Sequence, residues 1–145
     1  MNIKIKKLTN TATIPTRGSS DAAGYDLYAD IDNSIGLPPH TTYKFPTNIS
    51  IEIPQGYFGG IYARSGIATK RGLRPSNCVG IVDSDYRGNI IVALHNDSEE
   101  YQIVEPNERI AQIIIQPYLN VAFDVTDELN GTERGESGFG STGSK

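Results

Sequence analysis

Tryptophan is absent from these 145 residues, and cysteine and methionine occur once each. The lone Cys78 excludes an intrachain disulfide, and with only two histidines there is no Cys/His cluster to hold zinc. No apolar run approaches the length of a membrane span. The first residues, Met1-Asn2-Ile3-Lys4-Ile5-Lys6-Lys7, lead into polar residues rather than an apolar segment, so no signal peptide is expected. Strong positive charge is lacking too. A net charge of −4 argues against a nonspecific nucleic-acid or membrane surface. Sustained helical periodicity and internal repeats are also missing. These absences leave a soluble, cytoplasmic, single-domain protein large enough to bury a core.

What is present is short-strand patterning. Ile3, Ile5 and Leu8 stand at near-alternate positions, and a loop from Thr9 to Ser20 follows. Residues 22–29 read as a strand with Asp26 and Tyr28 on one face and Tyr25 and Leu27 on the other. Leu37-Pro38-Pro39-His40 breaks the pattern and Thr41 to Phe45 resumes it. Ile49, Ile51 and Ile53 alternate with polar residues, which predicts a half-buried strand. Further strands are expected over Tyr57 to Ala63, Tyr101 to Val104, Arg109 to Gln116, and through Val121, Phe123 and Val125. One helical turn fits near Ser65 to Lys70. Turn signals recur about every ten residues, the spacing of a sandwich or jelly roll. The expected fold is all-β, a jelly-roll-like sandwich over 1–129 with a flexible, Gly-rich C-terminal arm over 130–145.

The chemistry concentrates in Gly80-Ile81-Val82-Asp83-Ser84-Asp85-Tyr86-Arg87-Gly88. Apolar runs on both sides predict a β-hairpin with these residues as its turn. The bland reading has Asp83 and Asp85 capping the turn. A calcium loop fails, because Arg87 and Leu94 stand where oxygen ligands belong. A third reading has Asp83 positioning a water. It gains weight if the chain also supplies phosphate ligands, and Ala63-Arg64-Ser65-Gly66 offers a planar cation, a hydroxyl and close backbone approach. The last sixteen residues hold one large apolar side chain, Phe139, and cannot add to a core. A dinucleotide fingerprint and a Walker loop both fail there because no helix can follow. Glycines able to wrap an anion, Arg134 and a ring for stacking remain. His40 and His95 sit beside turn signals and read as surface residues.

Taken together, these stretches resemble the trimeric deoxyuridine triphosphatase (dUTPase) family. Its five motifs are matched in order by Ala23-Gly24-Tyr25-Asp26-Leu27, by Pro54-Gln55-Gly56 with Ala63-Arg64-Ser65-Gly66, by the 80–88 stretch, by Arg109-Ile110-Ala111-Gln112, and by Arg134 to Gly143. Asn107-Glu108 stands where the fourth motif usually opens Gly-Asp, keeping a turn former and a carboxylate.

The resemblance implies a homotrimer with active sites at subunit interfaces. It implies Mg²⁺-dependent hydrolysis of dUTP to dUMP and pyrophosphate, which keeps uracil out of DNA and supplies dUMP for thymidylate synthesis. By motif match, Asp83 is the catalytic base. Arg64, Ser65, Gly66 and Gln112 fall on the phosphates, and Arg134, Ser141 and Thr142 close on the β- and γ-phosphates. Phe139 covers the uracil. Asn77 and the backbone from Cys78 to Val82, with Gly80 and Ile81, read the base edge. Tyr86 packs under the deoxyribose, and Ile91 and Gly140 complete the substrate-binding set. Asp26 holds the metal through water. A dCTP deaminase of the same fold would need a carboxylate where Ala93 stands. A noncatalytic nucleotide sensor would have little need for both Asp83 and an arginine-bearing tail.

Overall fold

The computed structural model describes residues 1–77 and 79–138. Cys78 and residues 139–145, which include Phe139, Gly140, Ser141 and Thr142, lie outside the described residues. The strands are β1 Lys4–Lys7, β2 Tyr25–Tyr28, β3 Ile35–Leu37, β4 Thr42–Pro46, β5 Ile49–Glu52, β6 Tyr57–Tyr62, β7 Leu73–Pro75, β8 Gly80–Val82, β9 Ile91–Asn96, β10 Gln102–Val104 and β11 Arg109–Pro117. A helix, α1 Ser65–Arg71, joins β6 to β7. A four-stranded antiparallel sheet runs β2-β11-β6-β8, and a three-stranded one runs β4-β9-β7. The ribbons β1-β5 and β3-β10 complete a jelly-roll-like, all-β fold. Strands β6 and β11 of the larger sheet contact β7 of the smaller, and β11 also meets β9. The core includes Leu27, Leu37, Phe45, Ile49, Leu73, Ile90, Leu94 and Ile110, all essentially inaccessible to solvent.

Alternating apolar residues locate most strands, and the departures from expectation have physical causes. Strand β5 is not half-buried: Ser50, between Ile49 and Ile51, is also covered. Its hydroxyl donates to the Arg87 carbonyl at 2.7 Å, so β5 grips the Asp83 turn directly. The two runs flanking that turn do not form a hairpin. Strand β8 pairs with β6, whereas β9 pairs with β4 and β7, so the turn is a corner between sheets. Two partners on β9 satisfy its backbone more fully than one hairpin mate could.

The helix extends two turns and stops at Gly72, whose φ of 66° is a left-handed cap that glycine adopts without strain. The 22–29 strand shortens to β2 because residues 19–22 turn, with Ala22 N donating to Ser19 O. Asn107 takes a left-handed φ of 58°, the conformation a glycine would supply. Glu108 accepts from Glu105 N and from Arg71, which ties α1 to the turn before β11. His95 is half-buried rather than at the surface, its Nδ1 lying 2.8 Å from the Thr42 hydroxyl. Leu119, Val121, Phe123 and Val125 form no strand; they lie 57–102 % exposed, and no strand among the described residues pairs with the segment.

Candidate active site

Strand β8 leads into a cavity of about 190 Å³ whose walls include Asn77, Gly80, Val82, Asp83, Tyr86 and Ile91. Gly80 sits close against its neighbours: a Cβ would come 3.0 Å from the Asn77 amide and 3.2 Å from Ile61, so one of them would have to give by a few tenths of an ångström. Tyr86 lies across Gly88, where a Cβ would sit 2.4 Å from the phenol oxygen, and its hydroxyl donates to Asn89 O at 2.9 Å. Arg87 folds back, its Nη1 donating to Ser84 O and Tyr86 O, and so staples the turn backbone. Asp83 is exposed, and its carbonyl accepts from Tyr86 N, but its carboxylate meets no hydrogen-bond donor among the described residues. A carboxylate not used to cap its own turn is available to hold a water.

The far side of this turn is set by a chain of hydrogen bonds absent from the sequence reading. The Asp30 carboxylate accepts from Asn48 Nδ2 at 2.8 Å, and Asn48 Oδ1 accepts from Asn89 Nδ2 at 2.6 Å. Burial pushes the Asp30 carboxyl up, but hydrogen bonds from Thr9 and Asn48 and the charge of Lys7 outweigh it and hold the group below its ordinary value. An ionised carboxylate accepts only, so it fixes which way both amides face. No signal short of the fold could have brought residues 30, 48 and 89 together.

A second cluster lies where β2, β6 and β11 meet. Arg64 precedes α1; its Nε donates to Asp26 Oδ1 at 2.7 Å and its Nη1 to Arg109 O at 3.2 Å. Arg109 Nη1 donates to Asp26 Oδ2 at 3.3 Å. Asp26 itself is buried. Gln112 is anchored through Nε2 to Ala63 O at 2.9 Å. Space beside Gly66 is open, so a ligand can reach the backbone of the Arg64-Ser65-Gly66 segment. The arm bearing Arg134 folds on itself, with Arg134 Nε donating to Ser137 O. Among the described residues no group of three or more His, Cys, Asp or Glu side chains could cage a metal.

The two clusters lie apart along β6. Val82 pairs with Gly59, and Gln112 pairs with Tyr62 three residues farther along that strand. At about 3.3 Å per residue, the run from Phe58 to Arg64 separates Asp83 from the arginine cluster by roughly 20 Å.

The family model for dUTPase matches residues 10–143. The deoxyuridine 5'-triphosphate nucleotidohydrolase of Orientia tsutsugamushi (strain Ikeda) is 40% identical over 149 residues, covering 100% of both chains. That of Hydrogenobaculum sp. (strain Y04AAS1) is 42% identical over 145 residues, again covering 100% of both. Among solved structures, the Staphylococcus bacteriophage 80alpha dUTPase with dUPNHPP superposes with a TM-score of 0.85 at 28% identity, covering 98% of each chain.

Proposed function

The chain belongs to the dUTPase family, and on that premise we propose that it hydrolyses dUTP to dUMP and pyrophosphate at sites shared between the subunits of a homotrimer. The 190 Å³ cavity beside Asp83 takes the nucleoside. It is smaller than the ~300 Å³ of a typical complete ligand site, as expected if a neighbour supplies the rest. Asn77 and the β8 backbone read the uracil edge, Ile91 lines the same cavity, and the Tyr86 ring leaves no room for a 2′-hydroxyl. Arg64, Ser65, Gly66 and Gln112 of a neighbouring subunit hold the phosphates. Arg134, Ser141 and Thr142 close over the β- and γ-phosphates, Phe139 covers the base, and Gly140 belongs to the same substrate-binding set.

Asp83 holds a water in line with the α-phosphorus and takes its proton as the water oxygen bonds to phosphorus. The bond from that phosphorus to the β-bridging oxygen breaks, and pyrophosphate departs. Developing charge is met by the arginine cluster, whose donors are already in place and need no reorganisation. Mg²⁺, when bound with the triphosphate, adds neutralising charge. Asp26 suits an outer role through water, since Mg²⁺ keeps several waters and takes few protein ligands.

The observation that carries this reading is the separation of the two clusters along β6. A base must lie within hydrogen-bond reach of the water it activates. Across roughly 20 Å of strand, Asp83 cannot serve phosphates held by Arg64 of its own chain. The test mixes Asp83→Asn with Arg64→Gln, unfolding and refolding the two together in equal amounts. Each variant alone should be nearly inactive. In a random cyclic trimer, a site combining Asp83 of one variant with Arg64 of the other forms about one time in four, so pyrophosphate release should recover to about a quarter of the intact rate. No recovery, with mixed trimers verified by mass, would rule out the shared site.

A further inference from the structure

We propose that Asn130–Gly131 is a spontaneous modification site, where the chain converts its own asparagine to an aspartyl or isoaspartyl residue and so ages the arm. The chemistry stands on the arm alone; its consequence for turnover rests on the dUTP reading above. Of all the asparagines, only Asn130 is followed by glycine. The reaction needs the next backbone nitrogen to reach the side-chain amide, and any side chain on that next residue obstructs the approach. Asn130 and Gly131 are exposed and lie outside every helix, strand and turn. Neither makes a hydrogen bond among the described residues. The chain is tied on either side of them instead: Thr126 Oγ1 donates to Glu128 O at 3.0 Å, and Gly135 N to Thr132 O at 3.2 Å. Other asparagines are held. Asn96 is buried, with Nδ2 donating to the carbonyls of Leu37, Pro38 and Glu100, and Asn48 and Asn89 are fixed in the chain from Asp30. The fold does not demand glycine at 131, since its φ is not left-handed and nothing lies within 4 Å of a Cβ placed there.

In the first step the Gly131 nitrogen bonds to Asn130 Cγ. The bond from Cγ to Nδ2 breaks, and the nitrogen's proton leaves with the ammonia, so that a cyclic imide remains. Water then opens the ring at either carbonyl. Opening at Cγ leaves aspartate, whereas opening at the backbone carbonyl carbon leaves isoaspartate, whose main chain runs through Cβ and Cγ. One water enters, one ammonia departs, and nothing is oxidised or reduced. Both products place a new carboxylate four positions before Arg134, where it competes with phosphate for that guanidinium. The isoaspartyl product also lengthens the main chain by one carbon, a bond of about 1.5 Å. A misplacement of about 1 Å at a reacting site can cost about 10²-fold in rate.

The experiment incubates the intact protein and Gly131→Ala in warm, mildly alkaline buffer and weighs their peptides over time. The peptide holding Asn130 should gain about 1 Da, ahead of the peptide holding the exposed Asn33, and an isoaspartyl methyltransferase should label it. Gly131→Ala, which the backbone and the open space accept, should keep its mass while the intact chain converts. As conversion proceeds, the intact protein should lose pyrophosphate release and affinity for the nonhydrolysable dUpNHpp with Mg²⁺, by about tenfold or more in fully converted chains. Gly131→Ala incubated alongside should keep both. Conversion at Asn33 first, or at equal rates in the two proteins, would overturn the site. Full conversion with unchanged activity and affinity would overturn its effect on the arm. If fresh intact protein releases no pyrophosphate from dUTP, the underlying reading fails, while the gain in mass still decides the modification.

Discussion

Asp83 carries its carboxylate at the surface without a donor among the described residues, while Tyr86 and Arg87 in its turn are tied to Asn89 O and Ser84 O, and Ser50 of β5 holds Arg87 O. That contrast separates a reactive group from its support. Asp83→Asn should keep affinity for dUpNHpp close to that of the intact enzyme and lower kcat by about 10²–10⁴-fold, the usual cost of losing a general base. Near-normal turnover would remove Asp83 from the chemistry. Residues acting within one stretch were legible in the sequence. Asn77, Gly80, Val82, Asp83, Tyr86 and Ile91 line one cavity because they lie within fifteen positions of each other. The pairing of Arg109 with Asp26 was not legible, since it depends on a bulge that no residue type announces.

At the scale of elements, period-2 patterning located most strands but not their partners. Whether the run after Asp83 turns back on β8 or crosses to β4 and β7 depends on which edges the rest of the chain leaves open. Local turn chemistry is the same in both cases, so the hairpin was a fair expectation and a wrong one. The same limit hid the anchor between β4 and β5, where Asn48, at a left-handed φ of 49°, bridges Asp30 and Asn89. Its pH dependence follows from the lowered Asp30 carboxyl. A group whose folded pKa is depressed stabilises the fold above its unfolded value and loses that contribution as pH falls through the folded one. Asp30→Asn should therefore melt below the intact protein at neutral pH, by a difference equivalent to about 1 kcal/mol or less because the group is partly solvated. That difference should shrink as pH falls below the ordinary carboxyl value of 3.8. A gap that widened in acid would show the sign to be wrong.

Across the whole molecule, the arm after β11 presents an apolar face that no described residue covers. In the proposed trimer that face lies against a neighbour. Phe123→Asp with Val125→Asp should then weaken assembly by more than about 100-fold, since each buried apolar side chain contributes about 1.5–3 kcal/mol. Sedimentation and activity should fall together; an active, fully assembled double variant would mean that the face stays in water. The distance along β6 between the two clusters also has a genetic side. In the proposed trimer each subunit would lend its Asp83 turn to one site and its arginine cluster to another. An allele damaged at Asp83 alone, expressed equally beside an intact one, should silence about half the sites. An allele damaged at both Asp83 and Arg64 should silence about three quarters, because each faulty chain then spoils two sites instead of one. Dominance in a heterozygote would thus grade with where along one strand the lesions fall.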